Sequence, residues 1–246
     1  MRYFMTFSYD GTLYKGYQKQ LEEITIQNEL ENVLYKLNGE RNVNVCATGR
    51  TDAGVHALNQ KAHFDMEKEY EPEKLRNSIN KMLPDDIYVK RVEIVENDFH
   101  ARFNVKAKEY IYKINMGEYN PLEKNYVYQY NNRLDVAEME RALKYLEGEH
   151  NFKSFTKSTD EIENYTRTII QASLIREVKN VNELTISLIG TGFLRYMVRN
   201  IVGLLIEVGE GKHKSEEIFD ILKAENREAA GKTAPPNGLY LKDVFY

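Results

Sequence analysis

The stretch ATGRTDAGVHALNQKAHF, residues 47–64, decides how the chain is read. It sets Arg50 and Asp52 in a tight turn bounded by Gly49 and Gly54. Apolar, strand-like residues flank it, VNVCATG before and KAHFDM after. An aspartate between glycines also suits an ordinary turn, because its side chain bonds nearby backbone N–H groups, and Arg50 can simply solvate a loop. The setting tells the two apart. Two apolar strands would hold the carboxylate rigidly, which catalysis requires and solvation does not.

Working outward, strands and helices interleave. RYFMTFSYDG reads as a strand stopped by Asp10-Gly11. TIQNELENVLYKL repeats apolar residues at Ile26, Leu30, Val33, Leu34 and Leu37, one helical face with Thr25 as N-cap. EPEKLRNSINKML predicts a second helix, with Pro72 in its first turn, Leu75, Ile79, Met82 and Leu83 on its face, and Pro84 as its stop. DIYVKRVEIVE and the long ARFNVKAKEYIYKINM read as strands. Further on, DVAEMERALKYLEG predicts a helix capped by Asp135 and ended at Gly148. TIIQASLIREVKN and ELTISLIGTG predict a strand pair. FLRYMVRNIVGLLIEVG predicts a helix ending at Gly209, and SEEIFDILKA a short last one. The expected fold is α+β: two similar halves, 1–105 and 106–246, sharing an antiparallel or mixed sheet with helices packed on it and a cleft between them.

Composition narrows the class. With 246 residues, 42% of them hydrophobic and 29% charged, the chain can bury a real core. Its longest apolar run, NIVGLLI, is too short to span a bilayer, and MRYFMTFSYDG does not read as a signal peptide. One cysteine, Cys46, excludes an internal disulfide, so a cytoplasmic protein is expected. The net charge of −4 argues mildly against nucleic acid, but binding follows local charge. FHARFNVKAKEYIYK carries Arg102, Lys106, Lys108 and Lys113 against Glu109, and GTGFLRYMVRNIVG carries Arg195 and Arg199 with no acid. GKTAPP is not a phosphate loop, since Asn226 stands where the first glycine belongs, and VGEGKHK has Lys214 where a dinucleotide fingerprint needs glycine. The five histidines show no metal-ligand spacing, and Cys46 reads as a small core residue with no base nearby.

GRTDAGVHA resembles the signature of the tRNA pseudouridine synthase A family, in which the aspartate is catalytic. Other segments match in order: YDGTLYKGYQKQ, TIQNELENVL, INKMLPDDIYV, FHARFNVKAKEYIY, GEHNFKSF, GTGFLRYMVRNIVG and AGKTAPPNGLYLKDVFY. The resemblance covers essentially the whole chain. It departs at Tyr17, where the family usually has Trp, and at Asn59 and Lys61, which replace small or apolar residues.

The resemblance implies a pseudouridine synthase fold with a central RNA-binding cleft. It also implies isomerisation of uridine to pseudouridine at positions 38, 39 and 40 of the tRNA anticodon stem-loop, without a cofactor or metal. The N-glycosidic bond breaks, the uracil turns, and it rejoins through C5. A stem nucleotide must first be flipped out, at a cost of a few kcal/mol. Arg50 would hold that nucleotide or fill its gap, and Asp52 would act as nucleophile or base. A buried carboxylate needs a cation nearby to stay ionised, a role the resemblance gives to Arg199. Tyr110 would stack on the uracil and help move the C5 proton. His100, Arg102, Lys106, Lys108, Lys61 and Arg195 are candidate phosphate contacts, with Arg195 expected one helical turn from Arg199. Family members are homodimers with tRNA lying across both subunits. Two other readings stay open: an inactive tRNA-binding chaperone, and a carboxylate enzyme acting on nucleosides or sugars, which would normally need two facing carboxylates.

Overall fold

The computed structural model describes residues 1–157, 164–177 and 180–246. They form two compact units, Met1–Lys106 with Tyr240–Tyr246, and Ala107–Leu239. The expected division at 105/106 had assigned the C-terminal residues to the second half. The last strand instead pairs in parallel with the signature strand, Tyr240 opposite His56 and Leu241 opposite Ala57.

In the first unit, β1 (Arg2–Tyr9) alternates strictly, burying Tyr3, Met5, Phe7 and Tyr9. The helix α1 (Ile26–Leu37) starts where Thr25 accepts the Asn28 N–H, and buries Ile26, Leu30, Val33 and Leu34. The strand expected over VNVCATG narrows to β2, Cys46–Ala47. It pairs antiparallel with β3 (His56–Asp65). The helix α2 (Pro72–Asn80) is capped by Glu71, which accepts the Glu73 and Lys74 N–H groups. It ends before Met82, which is exposed rather than on the buried face. With β4 (Ile87–Ile94), the sheet order is β4-β1-β3 and the C-terminal strand, with β1 antiparallel to both neighbours.

The expected long strand over 101–116 does not form. After β4 the chain turns on itself, Phe103 and Asn104 N–H both bonding the His100 carbonyl while the Asn104 side chain accepts the His100 N–H. The strand begins only at β5 (Ala107–Asn115), in the second unit. There a short β6 (Tyr128–Gln129) runs parallel to β5. The helix α3 (Val136–Lys144) is capped by Asp135 and ends at Tyr145. Gly148 therefore opens β7 (Gly148–Asn151) instead of closing the helix. The expected pair forms as β8 (Thr166–Arg176) antiparallel to β9 (Glu183–Gly190); the predicted end of β8 at Val178 and Lys179 lies outside the described residues. The order is β5-β9-β8-β7. The helix α4 (Met197–Gly209) is buried on nearly every side, α3 packs against it, and α5 (Ile218–Ala224) follows. Both units are thus α+β with strands in mixed directions. No helix among the described residues is long and apolar enough to cross a membrane.

Tyr17, which stands where tryptophan is usual, is 3% exposed. Its ring lies 6.5 Å from that of Phe7, but its hydroxyl has no hydrogen-bond partner among the described residues. Burial pushes that phenol well above its ordinary pKa, so the hydroxyl stays neutral. An unsatisfied buried hydroxyl costs about 1–3 kcal/mol. Tyr17→Phe keeps the ring and removes the orphan, so its thermal midpoint should rise by roughly 2–4 °C, the shift that 1 kcal/mol gives in a chain of this size. A midpoint at or below wild type would show that the hydroxyl is satisfied.

Candidate active site

The signature turn is held by neutral hydrogen bonds. Thr48 continues the β2 pairing, its N–H and hydroxyl both bonding the Lys61 carbonyl at 2.9 Å. Gln60, fully buried, donates from its amide to the Gly49 carbonyl at 3.0 Å. The Thr51 hydroxyl lies 2.8 Å from the Tyr9 hydroxyl, and the Thr51 carbonyl accepts the Tyr17 N–H at 3.1 Å. Gly54 N–H bonds the Tyr14 carbonyl, and Val55 N–H closes the turn on the Asp52 carbonyl. The loop YDGTLYKGY thus lies against the signature. Its Gly16, at φ +96°, leaves no room for a side chain, because a Cβ would meet the Thr51 carbonyl at 2.8 Å. On this base Asp52 is half-exposed, and Arg50 is exposed with no ion pair among the described residues.

The basic candidates in this unit divide. Arg102 and Lys106 are exposed, and neither side chain makes a hydrogen bond or ion pair among the described residues. Lys61 is already committed: its ammonium donates to the Val244 carbonyl at 2.6 Å, pairs with Asp243 at 3.3 Å and lies over the Tyr246 ring. His100 is committed too. Its Nδ1 accepts the Arg102 N–H, its Nε2 faces Cys46 Sγ at 3.7 Å, and its ring stacks on Phe103. Both side chains, expected from sequence as phosphate contacts, thus have partners inside the unit.

Cys46 thus has a histidine nearby, contrary to the sequence reading, and with His63 and His100 it offers three ligand atoms within 4.8 Å of one another. The hydrogen bonds oppose a metal there. His63 Nδ1 accepts the buried Ala101 N–H, as His100 Nδ1 accepts that of Arg102. Each neutral ring then carries its proton on Nε2, where a metal would need a lone pair. Burial lowers the His63 pKa and raises that of the Cys46 thiol, against the pull of Arg102 and Arg2. The His63 ring and the Cys46 thiol are thereby kept neutral, and the cluster reads as packing.

In the second unit, Tyr110 lies on β5 opposite Leu188, 8% exposed, its ring edge-on to Phe193 at 5.1 Å. Lys108, two residues earlier on the same strand face, is half-buried. Arg199 sits in the first turn of α4, its Nε donating to the Ala234 carbonyl at 2.8 Å. Arg195 is not on that helix. Tyr196 adopts φ 63° and ψ −1°, a left-handed conformation rare outside glycine, and α4 starts after it. The two arginines converge by another route: their guanidiniums lie 5.1 and 5.2 Å from the centroid of the Tyr196 ring.

The segment GKTAPP, read from sequence only as a rejected phosphate loop, is a strap across α4. A Cβ on Gly203 would fall 1.7 Å from the Lys232 carbonyl, so only glycine admits the crossing. Buried Asn200 accepts from Thr233 Oγ1 at 2.6 Å and from Arg227 Nη2 at 2.8 Å, and donates to the Phe155 carbonyl. Ala234 N–H bonds the Arg199 carbonyl while its own carbonyl takes the Arg199 Nε. Tyr196, Asn200 and this strap are the site-supporting residues that sequence reasoning missed.

Residues 5–104 and 142–246 match the family described as tRNA pseudouridine synthase. The protein named tRNA pseudouridine synthase A of Streptococcus equi subsp. equi (strain 4047) is 43% identical over 246 residues, 100% of this chain and 98% of its own. That of Anoxybacillus flavithermus (strain DSM 21510 / WK1) is 45% identical over 241 residues, 98% of this chain and 97% of its own. A solved structure, a Cbf5-Nop10-Gar1 complex, covers 83% of this chain and 45% of its own, at 13% identity and a TM-score of 0.37, too remote to bear on the reading. A match that takes in the signature turn and α4, with relatives aligned from end to end, places the chain in the tRNA pseudouridine synthase family.

Proposed function

We propose that this chain isomerises uridine to pseudouridine at positions 38, 39 and 40 of the tRNA anticodon stem-loop. The observation that carries the reading is the signature turn: a half-exposed Asp52 on backbone fixed from beneath, in a chain of this family. A flipped uridine meets the Asp52 carboxylate, which attacks it or removes a proton. The glycosidic bond breaks, the uracil turns, and a C5–C1′ bond replaces the N1–C1′ bond as C5 loses a proton and N1 gains one. Substrate and product are isomers, so the reaction has no net gain or loss of electrons, and the steps above call on no cofactor. Arg50 holds the extruded nucleotide, Tyr110 stacks on its base, and Arg199 supplies the charge that keeps Asp52 ionised. The enzyme works in the cytoplasm as a homodimer, with tRNA held by both copies.

Arg102, Lys106, Lys108 and Arg195 serve as phosphate contacts and set register rather than sequence. Affinity for tRNA should then fall steeply with salt, each phosphate contact adding roughly 0.7–0.9 to the log–log slope. Arg102→Ala and Lys106→Ala should each flatten that slope by about 1. Slopes unchanged in both variants would take these two residues out of the interface.

The reading is tested with tRNA carrying tritium at uracil C5. Tritium released by wild type supports it. Tight binding with no release makes the chain a tRNA binder instead, and release from free uridine makes it a nucleoside enzyme.

A further inference from the structure

We propose that the Tyr9 hydroxyl, acting through Thr51 and Gln60, is a positioning device that sets the backbone carrying Asp52. The inference rests on the reading of Asp52 as the reacting group. Tyr9 is the last residue of β1, paired with Ala57 of β3, and its ring is 4% exposed. Its hydroxyl lies 2.8 Å from Thr51 Oγ1, one residue before Asp52, and the Gln60 side chain pulls its pKa down against the effect of burial. Gln60 is fully buried on β3 and donates to the carbonyl of Gly49, on the near side of Arg50. Its Oε1 accepts the Lys61 N–H at 3.1 Å, which fixes the orientation of the amide. The Tyr9 hydroxyl at 51 and the Gln60 amide at 49 thus tie both arms of the turn to the sheet beneath.

The chemistry of the three groups suits support rather than reaction. Burial pushes the Tyr9 phenol up to about 12, so it remains a neutral hydroxyl across the working range. Thr51 is 8% exposed and Gln60 has no exposed surface, so neither meets RNA directly. A neutral network holds the turn without competing with Arg50 or Asp52 for charge, and its bonds lose little to salt. Displacing a reacting group by about 1 Å can cost roughly 10²-fold in rate, so a support of this kind should appear in turnover before binding.

The test measures single-turnover rate at saturating tRNA, tRNA affinity and the unfolding midpoint. The variants are Tyr9→Phe, Thr51→Val, Thr51→Ser and the double Tyr9→Phe/Thr51→Val, with Asp52→Asn alongside. Tyr9→Phe and Thr51→Val should each slow turnover by about 10- to 100-fold with affinity within about twofold. Thr51→Ser restores the hydroxyl and should recover most of the rate lost in Thr51→Val. The double variant should be no slower than the worse single, because both remove one contact. Wild-type rates in Tyr9→Phe and Thr51→Val, beside an inactive Asp52→Asn, would overturn the positioning role alone. So would rate losses that merely track a fall in folded fraction, or a Thr51→Ser as slow as Thr51→Val. An active Asp52→Asn would instead sink the underlying reading of Asp52.

Discussion

Asp52→Asn should lower tritium release from C5-labelled tRNA by about 10⁴-fold or more, the scale on which enzymes lose rate when a nucleophile or essential base is removed. The amide is nearly isosteric, but it neither attacks the sugar or ring nor accepts a proton usefully. The turn should survive the change, because groups other than the carboxylate also hold it. The Gly49 carbonyl, the Thr51 hydroxyl and the Thr51 carbonyl are bonded by Gln60, Tyr9 and the Tyr17 N–H respectively. The unfolding midpoint should therefore stay within a few degrees of wild type, and tRNA affinity within about threefold, since phosphate contacts supply most of the binding. Substantial release from Asp52→Asn would remove Asp52 from the chemistry. A large loss of affinity alongside the loss of rate would make it a binding residue.

The parts of this architecture that were legible in the sequence are those governed by neighbours along the chain. The alternation of Tyr3, Met5, Phe7 and Tyr9 is a two-residue period, and β1 follows it. Thr25 and Asp135 declare helix starts because each side chain reaches a backbone N–H three residues on, at Asn28 and Glu138. The signature turn stands out because a charged pair between glycines is chemically odd wherever it folds.

The illegible parts depend on distant partners. The run FLRYMVRN around Arg195 and Arg199 reads as uninterrupted helix, with no glycine or proline to mark a break, yet Tyr196 turns left-handed and takes both guanidiniums on its ring. The stretch from His100 to Lys106 alternates like a strand, but His100 meets Cys46 from 54 positions away and the Asn104 side chain closes a turn. The strap at 231–236 reveals its purpose only where it crosses Gly203, and the last strand only where it pairs with His56. Lys61 reads as a free cation until the far end of the chain supplies Val244 and Asp243. In each case a local pattern is overridden by a contact that no window of the sequence contains.

Arg199→Lys, a change that preserves charge, should still cost about 10²–10³-fold in single-turnover rate, the scale on which loss of a preorganised electrostatic donor acts. The guanidinium is aimed by its own chemistry. Its Nε is spent on the Ala234 carbonyl at 2.8 Å, which fixes the plane of the fork. An ammonium has no plane to fix, so a lysine that satisfies the Ala234 carbonyl surrenders the aim, and one that reaches for an anion leaves the carbonyl unpaired. The strap should hold in either case through Asn200, Thr233 and Arg227, and the unfolding midpoint should move by only a few degrees. Arg199→Ala should also change the pH dependence. On the role proposed for Arg199, losing its charge would raise the carboxylate's pKa, so less Asp52 would be ionised at a given pH. The acid limb of the rate profile then moves to higher pH, and activity falls more at about pH 6 than at about pH 8. An acid limb that stays in place, or losses of rate and tRNA affinity that match, would make Arg199 a binding residue and require another source for the charge beside Asp52.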